Sequence, residues 1–274
     1  MKPAPFEYAM ATDVAGAAAL LGEANGTAKI IAGGQSLGPM LNFRLVQPAL
    51  LVDISRCAQL RGFEASHDGM MYGAAITHAE IEDGVVPDVT RGWLRDAASR
   101  IAYRAVRNRG TIGGSLAHAD PAADWVTVLL GLDAQVIVHR DGVLVASALS
   151  EFVGGPFQTT LGADDLVVGV HVPSPSPQAR WGYTKISVKK GEFAQAICVA
   201  FEDTERERSR LVLGGLGRAP LVLDVGLDTV ASLEAADAVV ASHLNMDSPV
   251  ARRPFAVAVK RSALQALDSS RQST

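Results

Sequence analysis

Short apolar runs alternate with polar or glycine-rich breaks along most of the chain, and their spacing assigns the main elements. Thr12 stands as an N-cap before an Ala-rich helical stretch from Asp13 to Glu23, which Asn25-Gly26 stops. Lys29 to Ala32 reads as a short buried strand leading into Gly33-Gly34, and Leu50 to Ile54 as a second. A small βα unit results. Gly69 to Ala74 predicts another strand, and Thr77 caps a short helix that runs to Glu82. Val89, Trp93, Leu94 and Ala97 give Asp88 to Arg100 the recurrence of an amphipathic helix. Pro121 to Leu132 predicts a helix with proline in its first turn. Ala134 to His139 and Val143 to Ala146 form a hairpin about Arg140-Asp141-Gly142, because Asp-Gly favours the primed turns, and Asp165 to Val172 is one more strand.

Proline at every other position from Pro173 to Pro177 can continue neither a helix nor a sheet interior, so a domain boundary or long surface connection falls there. Beyond it, Gly182 to Ser187, Ala194 to Glu202 and Leu211 to Leu216 read as three strands of a meander. Helices from Ser232 to Leu244 and from Val250 to Leu267 follow. The expected division is 1–55, 56–175 and 176–274, in an α+β chain whose last part is a three-stranded antiparallel sheet plus helices.

Composition removes several function classes. The 274 residues carry a net charge of −4 without charge blocks, which offers no basic face to a nucleic acid. No apolar run has the length of a membrane span, and the N-terminus does not read as a signal peptide, so a soluble cytoplasmic protein is expected. Cys57 and Cys198 are the two cysteines, far apart, so this chain alone cannot hold a Cys-rich zinc site or a four-cysteine iron–sulfur cluster. The six histidines are scattered without helical metal spacing, and no metal site is expected.

Two segments of the same build remain: Ala32-Gly33-Gly34-Gln35-Ser36 and Thr111-Ile112-Gly113-Gly114-Ser115. Paired glycines let successive N–H groups converge on an anion, and the neighbouring Gln, Ser and Thr side chains add donors. Neither segment is a Walker A loop or a G-x-G-x-x-G fingerprint. Two of them in one chain point to a phosphate or dinucleotide held from two sides. Arg107 and Arg109 either neutralise a pyrophosphate or are solvated; Asp120 and Asp124 either bond sugar hydroxyls or, for Asp120, cap a helix. Residue chemistry alone leaves Lys185, Lys189 and Lys190 unassigned. No nucleophile and base are set together, so no catalytic residue is expected.

Ala32 to Leu45, Arg107 to Asp124 and Tyr183 to Ala196 resemble, in order and spacing, the FAD-binding medium subunit of heterotrimeric molybdenum hydroxylases. The likeness is to the carbon monoxide dehydrogenase, quinoline oxidoreductase and nicotine dehydrogenase branch of the xanthine dehydrogenase family. The resemblance implies a vanillyl-alcohol-oxidase-type FAD-binding fold of two α/β subdomains followed by the α+β C-terminal domain. By it, Ile30, Ile31, Ala32, Gly33, Gly34, Gln35, Ser36 and Leu37 match the first FAD loop, and Thr111, Ile112, Gly113, Gly114 and Ser115 match the second. Asp124 falls on an acidic FAD contact, Ile101 and Val167 on apolar contacts, and Lys185 on a lysine that approaches the flavin. The resemblance further implies an electron-transfer subunit. It takes electrons from [2Fe–2S] clusters on a small partner and passes them to an external acceptor, beside a large molybdopterin subunit, in a dimer of heterotrimers. A stand-alone flavin oxidoreductase and a non-catalytic nucleotide-binding scaffold are the alternative readings.

Overall fold

The computed structural model describes residues 2–246 and 248–268. The chain opens with β1 (Glu7–Met10), α1 (Val14–Glu23), β2 (Ala28–Ile31), α2 (Leu37–Asn42) and β3 (Leu50–Asp53). These three strands form a parallel sheet in the order β1-β3-β2, with Ile31 opposite Asp53 at its end. Ala17, Leu21, Ala28, Val52 and Ile54 pack into one core beneath α1. The cap of α1 is Asp13 rather than Thr12: its carboxylate accepts from the Gly16 N–H at 2.7 Å. Asn25 and Gly26, both at positive φ, end the helix as expected.

The middle of the chain supplies β4 (Phe63–Ala65), β5 (Gly69–Gly73), α3 (His78–Glu82), α4 (Trp93–Arg100), α5 (Arg104–Arg107), α6 (Ile112–His118) and α7 (Asp124–Gly131). There follow β6 (Gln135–Arg140), β7 (Val143–Ala148), α8 (Leu149–Phe152), β8 (Val153–Gly155), β9 (Gln158–Thr159) and β10 (Leu166–Pro173). Five of these strands pair antiparallel in the order β4-β5-β10-β6-β7. Asp141 and Gly142 both take positive φ in the β6–β7 hairpin, as the primed turn requires. Thr77 caps α3 in a full capping box with Glu80.

Two expected helices are shorter in the structure. Asp88 to Arg91 is a turn in which the Asp88 carboxylate accepts from the Thr90 and Arg95 N–H groups, so α4 begins only at Trp93. Pro121 lies outside α7: Ala119 ends α6 in the left-handed region, Asp120 accepts from the Ala122 N–H in a tight turn, and helical geometry starts at Asp124. All eight residues of α7 are buried. The second glycine segment is itself the start of a helix, α6, capped by Thr111.

The last part contains β11 (Arg180–Ile186), β12 (Ala196–Asp203), β13 (Arg208–Gly214), β14 (Leu221–Leu223), α9 (Leu233–His243) and α10 (Pro249–Leu267). The three expected strands are present, and β14 extends them to an antiparallel sheet of four in sequential order. Alternation gives β12 and β13 two buried faces. Ile197, Val199, Phe201 and Val212 share a core with Trp93 of α4 and Trp125 of α7, while Ala196, Cys198, Ala200, Leu211 and Leu213 pack with α9 and α10. The helix α7 therefore lies in the core that the middle and C-terminal sheets share.

The reassigned cap gives a direct check. Asp13→Ala should lower unfolding free energy by about 1 kcal/mol, and Thr12→Ala should stay within about 0.5 kcal/mol of the native chain, in urea titrations.

Candidate functional site

At the end of β2 the chain leaves the parallel sheet, turns through Ala32 to Ser36 and enters α2. Gly34 has φ +70°, which favours glycine. Among the described residues the N–H groups of Gly33, Gly34, Gln35 and Ser36 donate to no protein acceptor. Carbonyls in the same turn are engaged: Gly33 accepts from Gln35 Nε2 at 3.0 Å, and Gly34 accepts from the Gly38 N–H at 2.9 Å. Gln35 and Ser36 are exposed. Successive unpaired donors with no Cβ on two of them make a nest for an anion.

The second segment comes to the same place by its backbone. A Cβ on Gly33 would lie 1.9 Å from the Arg109 carbonyl oxygen and 2.9 Å from Gly110 Cα, so the two chains touch main chain to main chain. The two segments nevertheless differ in what they offer. Ile112 N–H donates to the Ile76 carbonyl, Gly113 to Ala74, Gly114 to the Thr111 hydroxyl and Ser115 to the Thr111 carbonyl. The expected pair of matching nests is therefore found in the first segment only. The second is a buttress whose N–H groups are already satisfied, with Gly114 exposed and Ser115 half-buried on its outer side.

Beneath the buttress lies a histidine that spacing did not single out. The His78 N–H donates to the Gly110 carbonyl at 2.9 Å, and the His78 ring accepts at Nδ1 from Trp125 Nε1 at 3.0 Å. A Cβ on Gly110 would meet His78 Nε2 at 2.8 Å, so the ring supports the entry to Thr111. Burial, and to a lesser degree the nearby Arg107 charge, push the imidazole down to about 3, which keeps it neutral. Arg107 is engaged within the chain rather than left to solvent or a ligand. Its guanidinium donates to both Glu82 oxygens, at 2.7 and 3.0 Å, and to the carbonyls of Ile101 and Ala102. Arg109 is exposed, with Nε 3.5 Å from the Gly33 carbonyl.

A second group of candidate residues meets around the start of α7. Lys185 Nζ donates to Asp124 Oδ2 at 2.9 Å and to the Arg100 carbonyl at 3.2 Å, next to Ile101. The other Asp124 oxygen accepts from the Tyr183 hydroxyl. Burial raises the Asp124 pKa, opposed by Lys185 and by the Tyr183 hydrogen bond. Val167, at a bulge in β10, is buried in the core, and Ile101 is half-buried. Lys189 and Lys190 are exposed. Tyr183, Arg100, His78 and Trp125 are the residues that motif reading missed, since only folding brings them to these positions. Among the described residues no group of three His, Cys, Asp or Glu is arranged to hold a metal ion, and no helix is long and apolar enough to cross a membrane.

Residues 4–175 match the model of the FAD binding domain in molybdopterin dehydrogenase. The chain belongs to this family. This FAD-binding chain is 34% identical to the nicotine 6-hydroxylase medium subunit of Paenarthrobacter nicotinovorans over 87% of its own length and 86% of that protein. It is 39% identical to subunit alpha of the 6-hydroxypseudooxynicotine dehydrogenase complex of the same organism, over 78% of its length and 74% of that protein. Among solved structures, carbon monoxide dehydrogenase from Hydrogenophaga pseudoflava superposes with a TM-score of 0.86 at 28% identity, covering 97% of this chain and 99% of the other. The residues present fit a dinucleotide. The nest would supply N–H groups to a pyrophosphate, and the space a Cβ would fill at Gly33 is taken by the backbone of the opposing segment.

Two outcomes follow from this geometry. Gly33→Ala must push Arg109 off the turn, so the purified assembly should lose most of its FAD while the chain loses about 1–3 kcal/mol of stability. Native flavin content in that variant would contradict the apposition. His78 sets a pH slope: below about 6.5 the unfolded chain gains an imidazole proton that the folded chain refuses until about pH 3. Stability should therefore fall on acidification through that window by up to ~1.4 kcal/mol per pH unit, and His78→Gln should remove this part of the slope in urea titrations.

Proposed function

We propose that this chain is the FAD-carrying electron-transfer subunit of a molybdopterin-dependent hydroxylase. The observation that carries the reading is the row of four unpaired N–H groups from Gly33 to Ser36, set against the Arg109–Gly110 backbone in a chain that belongs to the FAD-binding family. Gly33, Gly34, Gln35 and Ser36 hold the pyrophosphate, flanked by Ile30, Ile31, Ala32 and Leu37. Thr111, Ile112, Gly113, Gly114 and Ser115 back the loop and close it. Ile101 and Val167 form the apolar surroundings, and Lys185 with Asp124 lies toward the ring system. When bound, FAD supplies the exchange between one-electron and two-electron carriers. The chain's own part is to bind, orient and tune it, which needs no general base or nucleophile.

Two functions fall to partner subunits in this reading. Electrons arrive from [2Fe–2S] clusters on a small subunit, which fits a chain whose two cysteines are both buried and free. Substrate is oxidised on a large molybdopterin subunit, and electrons leave to an external acceptor. The assembly is a cytoplasmic dimer of heterotrimers. Within the chain, 1–55 and 56–175 are the FAD-binding subdomains, and 176–274 is the C-terminal flavoprotein domain. The relatives' names as medium or complex subunits favour this over a stand-alone flavin enzyme or a nucleotide-binding scaffold.

The test is copurification and reduction. The chain, expressed with the genes beside its own, should emerge in a complex with FAD, and the visible flavin band should bleach on addition of the complex's substrate. The isolated FAD-loaded chain should show no bleaching. Bleaching by an organic substrate without partners would establish the stand-alone enzyme, and a chain without FAD in the complex would establish the scaffold.

A further inference from the structure

The Asp124–Lys185 pair is built more fully than a cofactor contact requires. Asp124 opens α7 and is only 5% exposed. Its two oxygens take donors from one neighbouring strand: Lys185 Nζ at 2.9 Å on Oδ2 and the Tyr183 hydroxyl on Oδ1. Tyr183 and Lys185 are two apart on β11 and so project from the same face of the sheet. Tyr183 is itself fixed. Its ring lies under the Arg100 guanidinium at 4.9 Å, and its carbonyl accepts from Arg100 Nη1 at 3.2 Å. The Arg100 carbonyl then takes a second hydrogen of Lys185 Nζ, also at 3.2 Å.

We propose that Asp124 is the counter-ion of Lys185, and that Tyr183 is the positioning residue that holds the carboxylate on the ammonium. The inference rests on the flavin site argued above. An ammonium has three hydrogens, and two are used within the chain, so Lys185 presents one N–H together with a charge that Asp124 largely cancels. In a buried site the difference between a bare cation and a compensated pair is large. A bare ammonium would favour the reduced cofactor, which carries more negative charge; the paired one favours it less. The arrangement therefore holds the flavin potential lower than a lone lysine would. Stability gives little reason to keep such a pair, because a buried ion pair replaced by apolar side chains of similar size is often no less stable.

Spectroelectrochemical titration of the FAD-loaded assembly tests the claim. Asp124→Asn should raise the flavin potential, Lys185→Met should lower it, and in a Lys185→Met background Asp124→Asn should have no further effect. Tyr183→Phe should shift the potential in the direction of Asp124→Asn by a smaller amount, because a buried carboxylate with one donor fewer is protonated more readily. A loss of FAD affinity of about tenfold or more with an unchanged potential would leave Asp124 a cofactor contact alone and overturn the proposal. Additive shifts in the double variant, or no shift in Tyr183→Phe, would overturn it as well. The cofactor-free chain tests the pair separately: in urea unfolding each single substitution should lower the midpoint more than the double does. If the native assembly carried no FAD, the site reading would fail while this cycle still decided the pairing, and equal or additive losses in it would refute the counter-ion assignment.

Discussion

The arrangement of the site depends on one contact, the backbone of Gly33 lying against the backbone of Arg109 and Gly110. No side chain fits between them, so the end of the parallel sheet and the approach to α6 are held at main-chain distance. That distance is set from behind. The Ile76 and Ala74 carbonyls fix Ile112 and Gly113, while His78, neutral and bonded to Trp125 of α7, supports Gly110. A buried imidazole is a sound prop here because its burial removes the charge that would otherwise need a partner.

Two segments with nearly the same composition do different work because their donors meet different neighbours. In Gly33 to Ser36 the N–H groups stay unpaired, whereas in Ile112 to Ser115 they are used by the Ile76 and Ala74 carbonyls of the turn after β5 and by Thr111. Glycine gives both segments close approach. Only the first leaves its donors free for a ligand.

Much of this was legible in the sequence, within limits that have physical causes. The Asp141-Gly142 hairpin, the Thr77 cap and the strands of the C-terminal meander follow from local rules, and they appear where those rules put them. The helix α6 was hidden because Gly113 and Gly114 are poor helix formers, and tertiary bonds to Ile76 and Ala74 outweigh that preference. The short strand β1 was missed because Tyr8 and Met10 are exposed on a sheet edge and give no buried period. Thr12 and Asp13 are both good caps by type; only the folded geometry shows which side chain reaches Gly16. The meeting of Asp124 with Tyr183 and Lys185 joins residues about sixty positions apart, which no local pattern reports.

Amide hydrogen exchange of the full chain in its assembly, with and without FAD, tests the central claim most directly. The Gly33, Gly34, Gln35 and Ser36 amides should exchange freely without FAD and become protected when it binds, while Ile112 and Gly113 should be protected in both states. Free exchange at Gly33 to Ser36 in the FAD-loaded assembly would contradict it, as would protection gained at Ile112 and Gly113 instead.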